Sequence, residues 1–363
     1  MRRSPLLTIV SVLATVVAAC GPTGAATSPA APRPAAAGAP AEQRAPAPSA
    51  PADHPLDEVV LRLAWTAGGG GDQPPFFLGL EKGWYREVGI DLKIIEGKGA
   101  APNVQLLGNK SDLFSIIDAN VLAASVSKGV PIKSIGTIVQ QAPFDIAYRT
   151  DSGIKTLQDL RGKNVGFQPG EAQGELFAHL LQANGIDPRD VKVTGVAGAN
   201  QPQALYQGQV DAVGGYVTGS YFRVKLGAPA GMQVDHIMYK DHGVSTLNAS
   251  VAAHVDTLKD KPDLVRRFMA ATTRALEYSK DHQDEAIAAL LTQYPDANRE
   301  LLTESTKWAF QLAQTPNSAG KPLGWTAEAD WNNTLDLLQQ FVGLTNREAT
   351  DSYFTNDFIP AST

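Results

Sequence analysis

Residues 61–99 read LRLAWTAGGGGDQPPFFLGLEKGWYREVGIDLKIIEGKG, and this stretch decides the architecture. Leu61, Leu63 and Trp65 fall on alternate positions, the period of a half-buried strand. Four glycines at 68–71 follow, and then Pro74 and Pro75 stand where a helix opens, a place that tolerates a missing N–H. The helix carries Phe77, Leu80 and Trp84, loosened at Gly83, before Ile90, Leu92 and Ile94 alternate again. The unit is strand, helix, strand. In a parallel sheet the loop after the first strand opens at the carboxyl end, where ligands bind. The glycine turn and the aromatics beside it are therefore the first candidate for a small-molecule site, with Phe77 and Trp84 read as core.

Working outward, Arg2 and Arg3 precede an apolar run at 6–19, the form of a secretory signal over 1–19. The run is shorter than the roughly 20 apolar residues a spanning helix needs. Cys20 is the single cysteine of the 363 residues, so no intrachain disulfide or cysteine metal site can form. Its place, after Ala18-Ala19 and before Gly21, resembles a bacterial lipobox. That resemblance implies lipidation of Cys20 and a membrane held through the lipid anchor, with the protein facing outside the cytoplasm. Residues 20–57, rich in Ala, Pro, Ser, Thr and Gly, read as a tether that cannot bury enough surface to fold. Formal net charge is −6, with no basic cluster to suit nucleic acid. A monomer is expected.

The pattern continues with strands at 112–117, 131–138 and 144–149, and Asp118 is placed to cap the helix after the first of these. A second round brings strands at 164–167, 191–193 and 210–213 with helices at 176–181 and 202–207. Shifted by 99 positions, Gly99, Ala100, Leu106 and Asp112 fall on Gly198, Ala199, Leu205 and Asp211, as two similarly wound lobes would show. After Asn248 the chain reads as helical. Pro262 opens a helix with Leu264, Val265, Phe268 and Ala271 at helical spacing, and the last helix carries Trp331, Leu335, Leu338, Phe341 and Val342 up to Gly343. These helices read as cover for the first lobe.

The segments Phe76-Phe77-Leu78-Gly79-Leu80-Glu81-Lys82-Gly83-Trp84-Tyr85, Val88-Gly89-Ile90-Asp91-Leu92 and Asp211-Ala212-Val213-Gly214-Gly215-Tyr216 resemble, in order, the periplasmic solute-binding proteins that serve ABC importers for thiamine-pyrimidine precursors and aliphatic sulfonates. So do Ser127-Lys128-Gly129-Val130-Pro131, Leu157-Gln158-Asp159-Leu160-Arg161-Gly162-Lys163 and Pro262-Asp263-Leu264-Val265-Arg266-Arg267-Phe268. The resemblance implies an α/β, type II periplasmic binding protein fold: two doubly wound lobes with a hinge and a ligand cleft. Lobe I is expected at 58–147 plus 246–363 and lobe II at 148–245. The implied partners are a small-molecule ligand and an integral-membrane permease.

Candidate ligand-binding residues lie on loops after strands: Trp65, Thr66, Gln73, Phe76, Asp118, Asn120, Gln140, Gln141, Glu171, Gln173, Tyr216 and Asn248. Aromatics can sandwich a flat ring, while amides and carboxylates meet its polar edge. No Gly-Lys-Ser/Thr follows the glycines, so they form no P-loop. The six histidines are scattered without metal-ligand spacing, and no nucleophile elbow is present. No catalytic residue, metal or cofactor is expected. A yeast enzyme of the same fold family makes a pyrimidine and carries a cysteine-rich cluster, absent here.

The first loop, Ala64-Trp65-Thr66-Ala67 and then the glycines, lacks the Asn and His that the resemblance leads one to expect of a pyrimidine-precursor binder. Room made by glycine suits a larger planar solute. Riboflavin-binding lipoproteins belong to the same family, so riboflavin leads, with a thiamine pyrimidine precursor second and a sulfonate-type ligand third. A lipid-anchored sensor or scaffold is the reading of another class.

Overall fold

The computed structural model describes residues 55–361; the predicted signal, Cys20 and nearly all of the tether lie outside the described residues. β1 (Asp57–Arg62) leads through the glycine turn into α1 (Pro74–Glu81), and Gly83 at φ 74° breaks the helix before α2 (Trp84–Glu87). β2 (Ile90–Ile95), α3 (Ala100–Gly108), β3 (Phe114–Asp118), α4 (Ala119–Val126) and β4 (Ile132–Thr137) follow. The second round is β5 (Phe144–Arg149), β6 (Asn164–Phe167), α5 (Ala172–Ala183), β7 (Lys192–Gly195), α6 (Gln201–Tyr206), β8 (Ala212–Tyr216), α7 (Ser220–Leu226) and β9 (Val234–Met238). The chain then returns as β10 (Ala249–His254) and ends in α8 (Val255–Asp260), α9 (Pro262–Asp281), α10 (Gln283–Gln293), α11 (Arg299–Gln311) and α12 (Glu328–Leu337).

Two five-stranded sheets result, ordered β2-β1-β3-β10-β4 and β7-β6-β8-β5-β9. In each, the first three strands are parallel and the fourth runs antiparallel to both neighbours. The 99-residue echo marks equivalent corners of this shared plan. Asp112 pairs with Arg62 of β1 (Nε–Oδ2 2.5 Å, Nη2–Oδ1 3.1 Å), and Asp211 accepts the Asn164 N–H of β6 (2.8 Å). Each aspartate thus ties the start of the third strand to the strand beside it.

The expected helical turn after Asn248 is corrected. Ala249–His254 is a central strand, buried at all six positions between β3 and β4. Its sequence, ASVAAH, does not alternate because helices cover both faces, and strands buried on both sides lose the period-2 signal. β9 and α7 are likewise elements that sequence periodicity did not reveal.

α9 buries Leu264, Val265, Phe268 and Ala275 against the first sheet, where Phe268 stacks on Phe114 at 4.0 Å between ring centroids. The C-terminal helices do more than cover that sheet, however. Trp308 of α11 packs edge-on to His236 of β9 (5.8 Å), which rests on Tyr221 of α7 (4.2 Å). Beyond α12, a π turn at Leu338–Val342 stacks Phe341 on His179 of α5 at 3.4 Å before Gly343, at φ 78°, ends it. The last third of the chain therefore touches both sheets.

Candidate functional site

A cleft of about 700 Å³ lies where the carboxyl ends of the parallel strands meet. Its walls come from the segments after β1, β2 and β3 on one side and after β6, β7 and β8 on the other, with Asn248 at the start of β10. This is the expected place for a ligand in sheets of this kind.

The glycine loop is held by Gln73, whose Oε1 accepts the Gly68 N–H (2.8 Å) and whose Nε2 donates to the Thr66 carbonyl (3.1 Å). Gly68, Gly69 and Gly70 line the cleft, but at Gly71 and at the facing Gly219 the room is taken by protein. A Cβ on Gly71 would sit 2.1 Å from the Ser305 carbonyl of α11, and one on Gly219 would sit 2.7 Å from the Gly69 carbonyl. The Gly71 N–H donates to the Thr218 carbonyl in the β8–α7 turn (3.0 Å). The loop of one sheet therefore rests backbone to backbone on the turn of the other. Trp65, 43% exposed, lines the cleft with its ring against Gly99.

Two carboxylates enter from opposite sheets. Asp118 caps α4, its Oδ1 accepting from the Asn120 N–H and Nδ2 (both 2.8 Å), and its Oδ2 accepts from Asn248 Nδ2. Burial pushes its pKa up to about 6, and the charge of Glu171 adds to the rise. Glu171 accepts from the Tyr216 hydroxyl (2.8 Å) and from Gln168 Nε2 (3.0 Å), and burial holds it above the ordinary carboxylate value. Burial, with Glu171 nearby, also drives the Tyr216 phenol well above its usual range. Gln173, only 2% exposed, lines the same cleft with an Oε1 that no donor reaches.

A family described as NMT1/THI5 like matches residues 72–286, more than half of the sequence. The chain belongs to the NMT1/THI5-like family. Among its relatives, a 4-amino-5-hydroxymethyl-2-methylpyrimidine phosphate synthase of Legionella pneumophila is 26% identical over 62% of this chain and 71% of the relative. The riboflavin-binding protein RibY of Chloroflexus aurantiacus is 24% identical over 79% of this chain and 82% of its own. Among solved structures, the periplasmic aliphatic sulphonate binding protein SsuA of Escherichia coli superposes with a TM-score of 0.62 at 15% identity, covering 80% and 94% of the two chains. Its likeness shows the fold, that of a periplasmic binding protein.

Within this NMT1/THI5-like chain, the structure brings Trp65, Thr66, Gln73, Asp118, Glu171, Gln173, Tyr216 and Asn248 to one cleft. Four other candidates lie elsewhere. Phe76, on α1, is wholly buried in the core. Asn120 stands behind Asp118, donating also to the Leu247 carbonyl (3.2 Å). Gln140 donates to the Thr137 and Trp325 carbonyls (3.1 and 2.7 Å), and Gln141 to that of Gln314 (2.7 Å). Their amides pair with backbone that the C-terminal helices bring in, a partner invisible in the local sequence.

Sequence reasoning missed Asp72, Gln168, Lys98 and Arg223, all of which line the cleft. Asp72 lies in the loop already singled out, and its charge between a glycine run and a helix start was the available signal. Burial raises its pKa. Arg223 escaped because it sits on α7, an unforeseen element. Among the described residues, no group of three or more His, Cys, Asp and Glu is placed to hold a metal, and no helix is long and apolar enough to cross a membrane.

Proposed function

We propose that this protein is an extracytoplasmic solute-binding lipoprotein that captures a planar vitamin-type heterocycle, with riboflavin as the lead, and hands it to a membrane permease. The observation that carries the reading is the cleft itself. It is about 700 Å³ in volume, set between two sheets, flanked by Trp65 and Tyr216, and floored by buried polar side chains. Ligand pockets run from about 300 to 1,000 Å³, so one flat tricyclic solute with a polar tail fits the size. The two aromatics supply stacking faces, while Asp118, Glu171 and Gln173 accept from N–H and O–H groups. The riboflavin-binding relative supports the ligand class.

The mechanism is closure without chemistry. The lobes, expected at 58–147 with 246–363 and at 148–245, are better divided before β5, which pairs within the second sheet. They turn about the segments joining β4 to β5 and β9 to β10, and the glycine loop meets the β8–α7 turn as the solute is enclosed. Lipid on Cys20 holds the protein at the outer face of the membrane, with the tether at 20–57 giving it reach.

Titration with riboflavin is the test. Quenching of flavin and tryptophan fluorescence is expected, and the purified protein should carry yellow colour. A flat response to riboflavin with a clear response to a thiamine pyrimidine precursor would move the ligand to that second class. Recovery of a chemically altered solute after incubation would refute closure without chemistry and favour the synthase named among the relatives.

A further inference from the structure

Carboxylates from both sheets line the cleft. Asp118 and Glu171 arrive from different sheets, and each is held by neutral donors: Asn120 and Asn248 for one, Tyr216 and Gln168 for the other. Asp72 adds a third carboxylate to the same cleft. The cations that reach the cleft, Lys98 and Arg223, are both exposed, where water screens a charge. An acidic cluster by itself would say little. Gln173 is the independent observation, because its buried Oε1 has no donor. A buried acceptor left unpaired is costly, so a solute that fills the cleft and brings a donor to it gains affinity.

An anionic group set among these carboxylates would lose its hydration and meet like charge. A neutral polyol, a ring N–H or a protonated amine would instead satisfy Gln173 and strengthen the hydrogen bonding of the carboxylates. We propose that the cleft selects solutes that donate: a neutral or cationic heterocycle bearing N–H or O–H groups, discriminated from phosphate- or sulfonate-bearing analogues of the same ring. This rests on the solute-binding reading and adds the charge class of the ligand, which the resemblance to the family leaves open.

The experiment is a tryptophan-fluorescence titration of the full chain near neutral pH with matched pairs. The pairs are riboflavin with riboflavin phosphate, and the hydroxymethylpyrimidine with its phosphate; propanesulfonate is included as a lone anion. In whichever pair binds, the unphosphorylated member should bind at least about tenfold tighter, a difference of about 1.4 kcal/mol. Glu171→Gln, with its fold checked by circular dichroism, should narrow that gap by strengthening the phosphate form. Asp118→Asn serves as the second variant should Glu171→Gln fail to fold. A phosphate form that binds as well as its parent, or binding by the sulfonate alone, would overturn the proposal and leave solute binding standing. A gap that persists in a folded Glu171→Gln and a folded Asp118→Asn would overturn it as well. Donor selectivity in the pyrimidine pair with silence from riboflavin would support it while removing the riboflavin assignment. Silence from every solute would count against both.

Discussion

At the scale of single residues, a half-buried and a fully buried carboxyl make opposite uses of their surroundings. Asp118 is hydrogen-bonded on both oxygens, whereas Asp145 of β5, with 0% of its surface exposed, has no donor for either. Burial raises both pKa values, that of Asp118 to about 6 and that of Asp145 well above the usual value. A carboxyl with a raised native pKa binds more protons folded than unfolded, so its contribution to stability is lost as pH rises. For Asp118 that loss runs from about pH 4, its unfolded value, to about pH 6. Urea midpoints measured across this window should fall with pH in the native sequence and fall less in Asp118→Asn. Asp145→Asn should raise stability at neutral pH by about 1 kcal/mol or more, since it removes a charge the fold does not pair; a lower midpoint in that variant would contradict the account. The contrast between Gln173 and Gln140 marks the limit of reading residues singly. Both are buried glutamines beside strand ends, but Gln140 finds the Trp325 carbonyl 185 positions away and Gln173 faces the cleft. Amide chemistry is the same in both, so residue type could nominate them and could not choose.

Among the elements, the glycine loop carries the sharpest expectation. Gly71→Ala forces a Cβ into the backbone of α11 and should cost about 3 kcal/mol or more by thermal or urea denaturation. Gly219→Ala meets only the Gly69 carbonyl, which belongs to the facing lobe. Its stability should change by less than that of Gly71→Ala, while solute affinity drops about tenfold through a poorer closed contact. A Gly219→Ala variant that binds at full strength would show that closure does not use this contact. β10 shows why some elements stay hidden. ASVAAH carries small residues on both faces of a strand covered on both sides, so neither a period of two nor one of 3.6 emerges. α1, by contrast, announces itself through Pro74 and Pro75 at its start and a run of buried residues to Gly79.

For the molecule as a whole, one buried apolar cluster includes Leu61 and Phe114 of the first sheet together with Ala147 and Val213 of the second. Unfolding by calorimetry should therefore show one cooperative transition; two separated peaks would mean that the sheets melt independently. A bound solute at a hundred times its Kd should add about 2.7 kcal/mol to the unfolding free energy and raise that single transition. The alternation of short strands and helices, the glycine and proline punctuation, and the repeated aspartate corner are local or nearly local signals, and from them the sequence determined an α/β chain wound twice. The tertiary structure alone decided that β10, which follows the second sheet in the chain, joins the first, that the C-terminal helices touch both sheets, and that the glycine run meets Thr218 and Gly219 of the other sheet while it lines the cleft. Those outcomes depend on contacts between segments far apart in the chain, where backbone hydrogen bonds and close packing act without leaving a periodic trace in the sequence.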